Sequence, residues 1–233
     1  MFDMIAFDAD DTLWHTEQLY VDVQTQFKAL LAGYVDPEAI LDQLYTVEMR
    51  NLNYFGYGVK GFLLSMIETA IELTGGRVAG RDIQKLIELG KQMLQADVAL
   101  LEQAEAAVLA LSQTHPLMII TKGDLFDQES KVARSGLGAH FRHVEIVSAK
   151  TPAAYAAVLK RYDIAIDRFL MIGNSLKSDV LPVVELGGQA VYVPYALTWA
   201  HEAVDDADAS QYHHVDHLGE LPALVARLER SNG

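Results

Sequence analysis

The stretch Met4-Ile5-Ala6-Phe7-Asp8-Ala9-Asp10-Asp11-Thr12-Leu13 constrains this chain more than any other, because a short apolar run stops abruptly in three carboxylates and a hydroxyl. Four apolar residues are too few for a helix, and an unbroken run of that length suits a strand buried on both faces, the central strand of a parallel sheet. The acids then lie at its carboxyl end, where open α/β sheets keep their ligands. Alternation along an extended segment lets Asp8 and Asp10 point to one side, with the small Ala9 between them. Two carboxylates facing one pocket repel each other, and relief comes from a divalent cation held by oxygen ligands or from a shared proton.

Three readings compete for these residues. One is a strand running into a solvated acidic turn. A calcium loop, the second, needs Gly at its sixth position and Glu at its twelfth; counted from Asp8 those are Leu13 and Leu19, which rules it out. The third is a nucleophilic Asp with a second Asp two residues on as acid and base, and it requires partners further along the chain.

The rest of the sequence narrows the setting. At 233 residues and 51% hydrophobic content, the chain can bury a sizeable core. Its net formal charge of −14 repels a phosphate backbone and an anionic lipid surface, so neither nucleic acid nor membrane is the expected partner. Any anionic substrate must be met by a local exception. With no cysteine, disulfides, thiolate nucleophiles and thiolate metal sites are absent, as fits a reducing compartment. The start of the chain carries Asp3 and a run of only four apolar residues between it and Asp8, unlike a signal peptide or anchor, and no run approaches the roughly 18 apolar residues of a membrane span. A cytoplasmic enzyme is expected.

After Trp14 the apolar period changes from strand to helix and stays helical to about residue 99. Thr16 is a candidate cap for a helix with Leu19, Val23, Phe27, Leu30 and Leu31 on one face. Asp36-Pro37 opens a second helix, Asn51 to Gly58 reads as a loop, and further helices run from about Val59 to Leu73 and from about Arg81 to Leu94. Four amphipathic helices with short connections form a small bundle inserted after the first strand. Strands then alternate with helices: Leu117 to Ile120, Val144 to Val147, Phe169 to Ile172 and Ala190 to Val193, with a final amphipathic helix from Leu218 to Arg230. That alternation implies right-handed crossovers and a parallel sheet with helices on both faces. The expected fold is α/β, a Rossmann-like three-layer parallel-sheet core in residues 1–14 and 100–233, with an α-helical bundle in residues 15–99.

Polar residues stand just past several of these strands: Asp8 and Asp10, then Thr121, then Lys150, then Asn174 and Asp179. Taken singly each has a structural reading. Thr121 can be a strand-end cap, Lys150 a solvated loop lysine, and Asp179 the first residue of a helix favoured by its dipole. Their joint occurrence at one sheet edge favours the catalytic reading.

On these residues the chain resembles the haloacid dehalogenase (HAD) superfamily of hydrolases, in its phosphatase branch. The resemblance rests on Asp8-x-Asp10-x-Thr12, on Thr121 and Lys150, on the Gly173-Asn174-Ser175-x-x-Ser178-Asp179 version of the acidic motif, and on a helical insert placed like a C1-type cap domain. It implies that Asp8 is the nucleophile and Asp10 the general acid and base, with Thr121 and Lys150 as ligands of the phosphoryl oxygens. It further implies Mg²⁺ held by the Asp8 carboxylate, the Asp10 carbonyl and Asp179, with Asn174 as a further candidate, and a small phosphorylated substrate. A phosphomutase or a haloacid dehalogenase shares the same core, and a phosphorylatable receiver-like binding module also places acids, a Thr and a Lys at strand ends. Asp10 argues against the dehalogenase, which displaces halide without it or the metal.

Two departures from the commoner pattern are visible. Asn174 stands where an Asp is usual, leaving Asp179 as the one charged ligand of that loop, and Lys122 stands where Asn often follows the Thr, either as a second anion contact or as a solvated lysine. In the family the cap closes over the pocket and selects the leaving group. Here the loop from Asn51 to Lys60 is the candidate, with Tyr57 and Lys60 first and Arg50 behind them; a tyrosine-rich packing turn is the alternative.

Overall fold

The computed structural model describes residues 1–202, 204 and 208–231; residues 203, 205–207, 232 and 233, in the expected core segment 100–233, lie outside the described residues. The chain divides into two compact units. The first contains residues 1–17, 98–122 and 130–233, the second residues 18–97 and 123–129.

In the first unit a six-stranded sheet has the order β3-β2-β1-β4-β5-β6, with every pairing parallel. The strands are β1 (Met4–Phe7), β2 (Leu117–Lys122), β3 (His143–Val147), β4 (Phe169–Gly173), β5 (Gln189–Tyr192) and β6 (His213–His214). Burial on both faces explains their unbroken apolar runs. Ile5, Phe7, Leu117, Ile119, Leu170 and Ile172 face α5 (Ala104–Ser112) and α9 (Leu221–Ser231). Met4, Ala6, Met118, Ile120, Phe169 and Met171 face α7 (Pro152–Arg161) and α8 (Leu181–Glu185) on the other side. The result is the expected three-layer Rossmann-like core.

The chain moves from β1 outward through β2 to β3, then returns to pair β4 against the other edge of β1. Strand order therefore reverses between β1 and β4, which opens a crevice at their carboxyl ends. Phe7 pairs with Ile119 on one side and Ile172 on the other, so Asp8 emerges beside the end of β4 with its N–H bonded to the Ile172 carbonyl at 2.8 Å.

The second unit is a helical bundle: α1 (Glu17–Leu31), whose first residue belongs to the first unit, α2 (Ile40–Phe55), α3 (Val59–Thr74) and α4 (Gly80–Gln95). Val23, Phe27, Leu31, Ile40, Leu44, Phe62, Met66 and Leu86 form its core. One expectation is corrected here. The segment 51–55 is the last turn and a half of α2 rather than a loop, because Asn51 is buried and donates to Ser65 Oγ at 3.2 Å and Glu68 Oε2 at 2.6 Å on α3. The helix stops at Gly56, whose φ of 68° is open to glycine at little cost. Thr16 directly precedes α1; the Asp11 carboxylate accepts its N–H and that of Glu17 at 2.8 and 3.0 Å, and the Thr16 hydroxyl donates to Asp10 Oδ1 at 2.9 Å.

Candidate active site

The residues that follow β1 form a tight turn in which Thr12, Leu13 and Trp14 N–H groups converge on the Ala9 carbonyl and Asp11 takes a φ of 60°. This turn, the ends of β2 and β4 and the loop before α7 bring the polar residues together. Lys150 Nζ, buried, donates to Asp8 Oδ1 and to Asp179 Oδ1, the latter at 2.6 Å. The two carboxylates thus lie close enough to share one ammonium. The other Asp8 oxygen accepts from the Thr12 hydroxyl at 3.1 Å. The other Asp179 oxygen accepts from the Ser175 N–H at 3.0 Å. Thr121 is buried at the end of β2.

Gly173 is required by this arrangement. A Cβ built there would lie 2.3 Å from both Asp179 Cγ and Oδ2, so any side chain would displace the carboxylate. Asn174 follows; with its amide set to match its surroundings, Nδ2 donates to Thr12 Oγ1 at 3.0 Å, Asp8 Oδ2 at 3.2 Å and the Asp10 carbonyl at 3.3 Å. Asp8 Oδ2 and the Asp10 carbonyl therefore converge on one point. Asn174 offers an oxygen there only if its amide reverses.

The electrostatics of the cluster are unbalanced. Burial alone would lower the Lys150 ammonium, but Asp179 and Asp8 outweigh it and hold the group above its usual value. Burial drives the Asp179 carboxyl up, against the pull of Lys150 and with the push of Asp8. One buried cation serves two buried anions, and a second cation would complete the compensation. Among the described residues no three acidic or histidine side chains gather at one point. The protein donors on hand are instead two carboxylates and the Asp10 carbonyl, an all-oxygen set of the kind Mg²⁺ takes. The residues present fit such an ion.

The Asp10 side chain is held by a different set of donors. Its Oδ1 accepts from Trp14 Nε1 at 2.7 Å, from the Thr16 hydroxyl at 2.9 Å and from Lys131 Nζ at 2.7 Å, and Lys131 reaches Oδ2 at 2.9 Å. Lys131, on α6 (Leu125–Arg134), escaped the sequence reading. So did Glu202, which pairs with Lys122 and accepts from the Ser175 and Ser178 hydroxyls at 2.5 and 2.6 Å. Lys122, expected as an anion contact or a solvated lysine, is thus given to Glu202 and, at 3.0 Å, to Ser178 Oγ.

The remaining expected residues belong to the second unit. Arg50 pairs with Glu68 at 2.9 Å and Glu72 at 2.6 Å. Lys60 pairs with Asp124 at 2.8 Å, with its ammonium 5.6 Å from the Phe126 ring centre. Tyr57 stands between Gly56 and Gly58 in the short connection from α2 to α3.

Comparison with known proteins follows the same outline. A family model described as haloacid dehalogenase-like hydrolase matches residues 2–187. A solved haloacid dehalogenase-like family hydrolase from Xanthomonas campestris is 43% identical with a TM-score of 0.89, covering 99% of this chain and 93% of that one. A 2-haloacid dehalogenase from Pseudomonas syringae pv. tomato has a TM-score of 0.67 at 19% identity, covering 98% and 100%, a likeness of fold. The curated glyceraldehyde 3-phosphate phosphatase of Pyrococcus furiosus is 29% identical over 121 residues, 49% of this chain and 48% of that protein. The match spans about half of that relative's length.

Proposed function

Because the chain belongs to the haloacid dehalogenase-like hydrolases, we propose that it is a Mg²⁺-dependent phosphatase that hydrolyses a small phosphorylated metabolite through an aspartyl-phosphate on Asp8. The observation that carries this reading is the meeting of Asp8 and Asp179 on Lys150 at the switch point of the sheet. The phosphatase from Pyrococcus furiosus supports the choice of branch.

Asp8 attacks phosphorus, and the bond from phosphorus to the ester oxygen breaks. Asp10 gives its proton to the departing alcohol, then takes one from the water that attacks the phosphorus of the Asp8 adduct, which frees phosphate and restores both carboxyls. Its donors, Trp14, Thr16 and Lys131, suit the base half of this cycle; the acid half requires Asp10 to part from at least one of them. Lys150 and Thr121 hold the phosphoryl oxygens as charge builds on them. Asp8, Asp179 and the Asp10 carbonyl, with Asn174 after reversal of its amide, would hold Mg²⁺, which would supply the further positive charge that lets an anionic nucleophile meet an anionic ester.

The helical segment 15–99 acts in this reading as the cap that selects the leaving group, through Tyr57, Lys60 and Arg50. Any substrate anion must compete with Asp124 for Lys60 and with Glu68 and Glu72 for Arg50. No helix among the described residues is long and apolar enough to cross a membrane, and we place the enzyme in the cytoplasm.

The test is direct. Purified protein with Mg²⁺ should release phosphate from p-nitrophenyl phosphate and lose that activity in EDTA, with recovery when Mg²⁺ is restored. Release of halide from a 2-haloacid, with no phosphate released from any phosphate monoester, would overturn the phosphatase reading in favour of the dehalogenase one.

A further inference from the structure

Glu202 has no part in the reaction as derived, yet its carboxylate is among the most engaged in the first unit. Its side chain is 10% exposed, at the end of a single helical turn, Ala200–Glu202, that follows β5. Burial alone would raise its carboxyl, but the Lys122 ammonium and the Ser175 and Ser178 hydroxyls outweigh it and hold the group to about 2. The adjacent His201 carbonyl accepts from Lys177 Nζ at 2.6 Å, a second tie between this turn and the loop that follows β4.

The two serines that Glu202 holds bracket the segment that sets Asp179. Ser175 accepts the Asp179 N–H on its carbonyl at 2.8 Å and gives its own N–H to Asp179 Oδ2 at 3.0 Å. Its hydroxyl also accepts the Ser178 N–H at 3.0 Å. Ser178 directly precedes Asp179, and its carbonyl accepts from Tyr155 Oη at 3.0 Å. Lys122 closes the knot by reaching Ser178 Oγ and Glu202 together.

We infer that Glu202 is a positioning residue: with Lys122 as its counter-ion, it locks the turn from Ser175 to Asp179 so that the Asp179 carboxylate stays aimed at Lys150 and at the proposed Mg²⁺. This rests on the phosphatase reading above and adds a residue to it. Lys122 then serves as an internal cation, not as a ligand of the substrate.

The experiment is calorimetric titration of the intact protein with Mg²⁺, alongside Mg²⁺ activation and KM for p-nitrophenyl phosphate. Partners that orient metal ligands typically contribute 10- to 100-fold in affinity. Glu202→Ala should therefore weaken Mg²⁺ binding about tenfold or more and raise the half-activating Mg²⁺ concentration in step, with KM little changed. Adding Lys122→Met to Glu202→Ala should cost little more, because the pair is already broken. Glu202→Gln keeps one acceptor oxygen for the serines and should recover part of the affinity; it carries the test if the alanine variant fails to fold. Wild-type Mg²⁺ affinity in folded Glu202→Ala or Glu202→Gln, or fully additive losses in the double variant, would overturn the inference alone. A wild-type protein with neither Mg²⁺ binding nor phosphatase activity would overturn the reading beneath it.

Discussion

Asp8→Asn should leave no measurable phosphate release, a loss of at least about 10⁴-fold, with the fold intact. The amide has nearly the volume of the carboxylate, so packing around the β1 turn is kept, but it lacks the anionic oxygen that attacks phosphorus. Stability should not fall. The substitution removes a buried anion whose neighbour Asp179 is already raised by burial and by Asp8 itself, and it leaves Lys150 still paired with Asp179. Initial rates with p-nitrophenyl phosphate and a thermal unfolding curve check the two halves. Wild-type-like turnover in the purified variant would remove Asp8 from the chemistry.

Lys150→Met carries the second large effect, on rate and stability together. The lysine side chain is 2% exposed, and its ammonium touches both Asp8 and Asp179. Removing one partner of a buried ion pair costs about 3–5 kcal/mol, because the charge left behind has neither water nor a counter-ion. In a chain of this size that should lower the unfolding midpoint by roughly 6–20 °C in the absence of divalent cations. Added Mg²⁺ should restore part of the loss, since it supplies the missing positive charge between the same carboxylates. The rate with Mg²⁺ present should fall by about 10²–10³, the usual effect of deleting one group that stabilises developing negative charge. Unfolding at the wild-type temperature in EDTA would show that the two acids do not depend on this ammonium.

These expectations trace back to features that a sequence can display. Strands buried on both faces are continuous apolar runs, and ligands gather at the carboxyl ends of parallel strands, so Asp8, Lys150, Asn174 and Asp179 could be placed at one edge before their distances were known. Features set by tertiary partners were not legible. The stretch from Asn51 to Gly58 read as a loop, whereas α2 runs on to Phe55 with Asn51 bonded to Ser65 and Glu68 on α3. Asp11, turned by its positive φ, reaches the Thr16 and Glu17 N–H groups at the start of α1, a contact that no local pattern announces. β6 has two residues, too short to carry a period.

The same holds within the site. Lys131 lies 121 residues from Asp10, and Glu202 lies 80 from Lys122, and neither sits in a motif that announces its partner. Glu202 opens a stretch of sequence rich in acids that has the composition of a solvated loop. Lys122 could be seen in the sequence but its engagement could not, because the carboxylate that claims it arrives from beyond β5.

The claim at the centre of this account is that Asp8 itself takes the phosphoryl group. Protein quenched in acid during turnover of a phosphate monoester, then digested and analysed by mass spectrometry, should carry one added phosphoryl group, lost on mild alkaline treatment, on the peptide containing Asp8 and at Asp8 itself. Phosphate released at the full rate with no phosphoryl group on Asp8, or with the group on another residue, would contradict it.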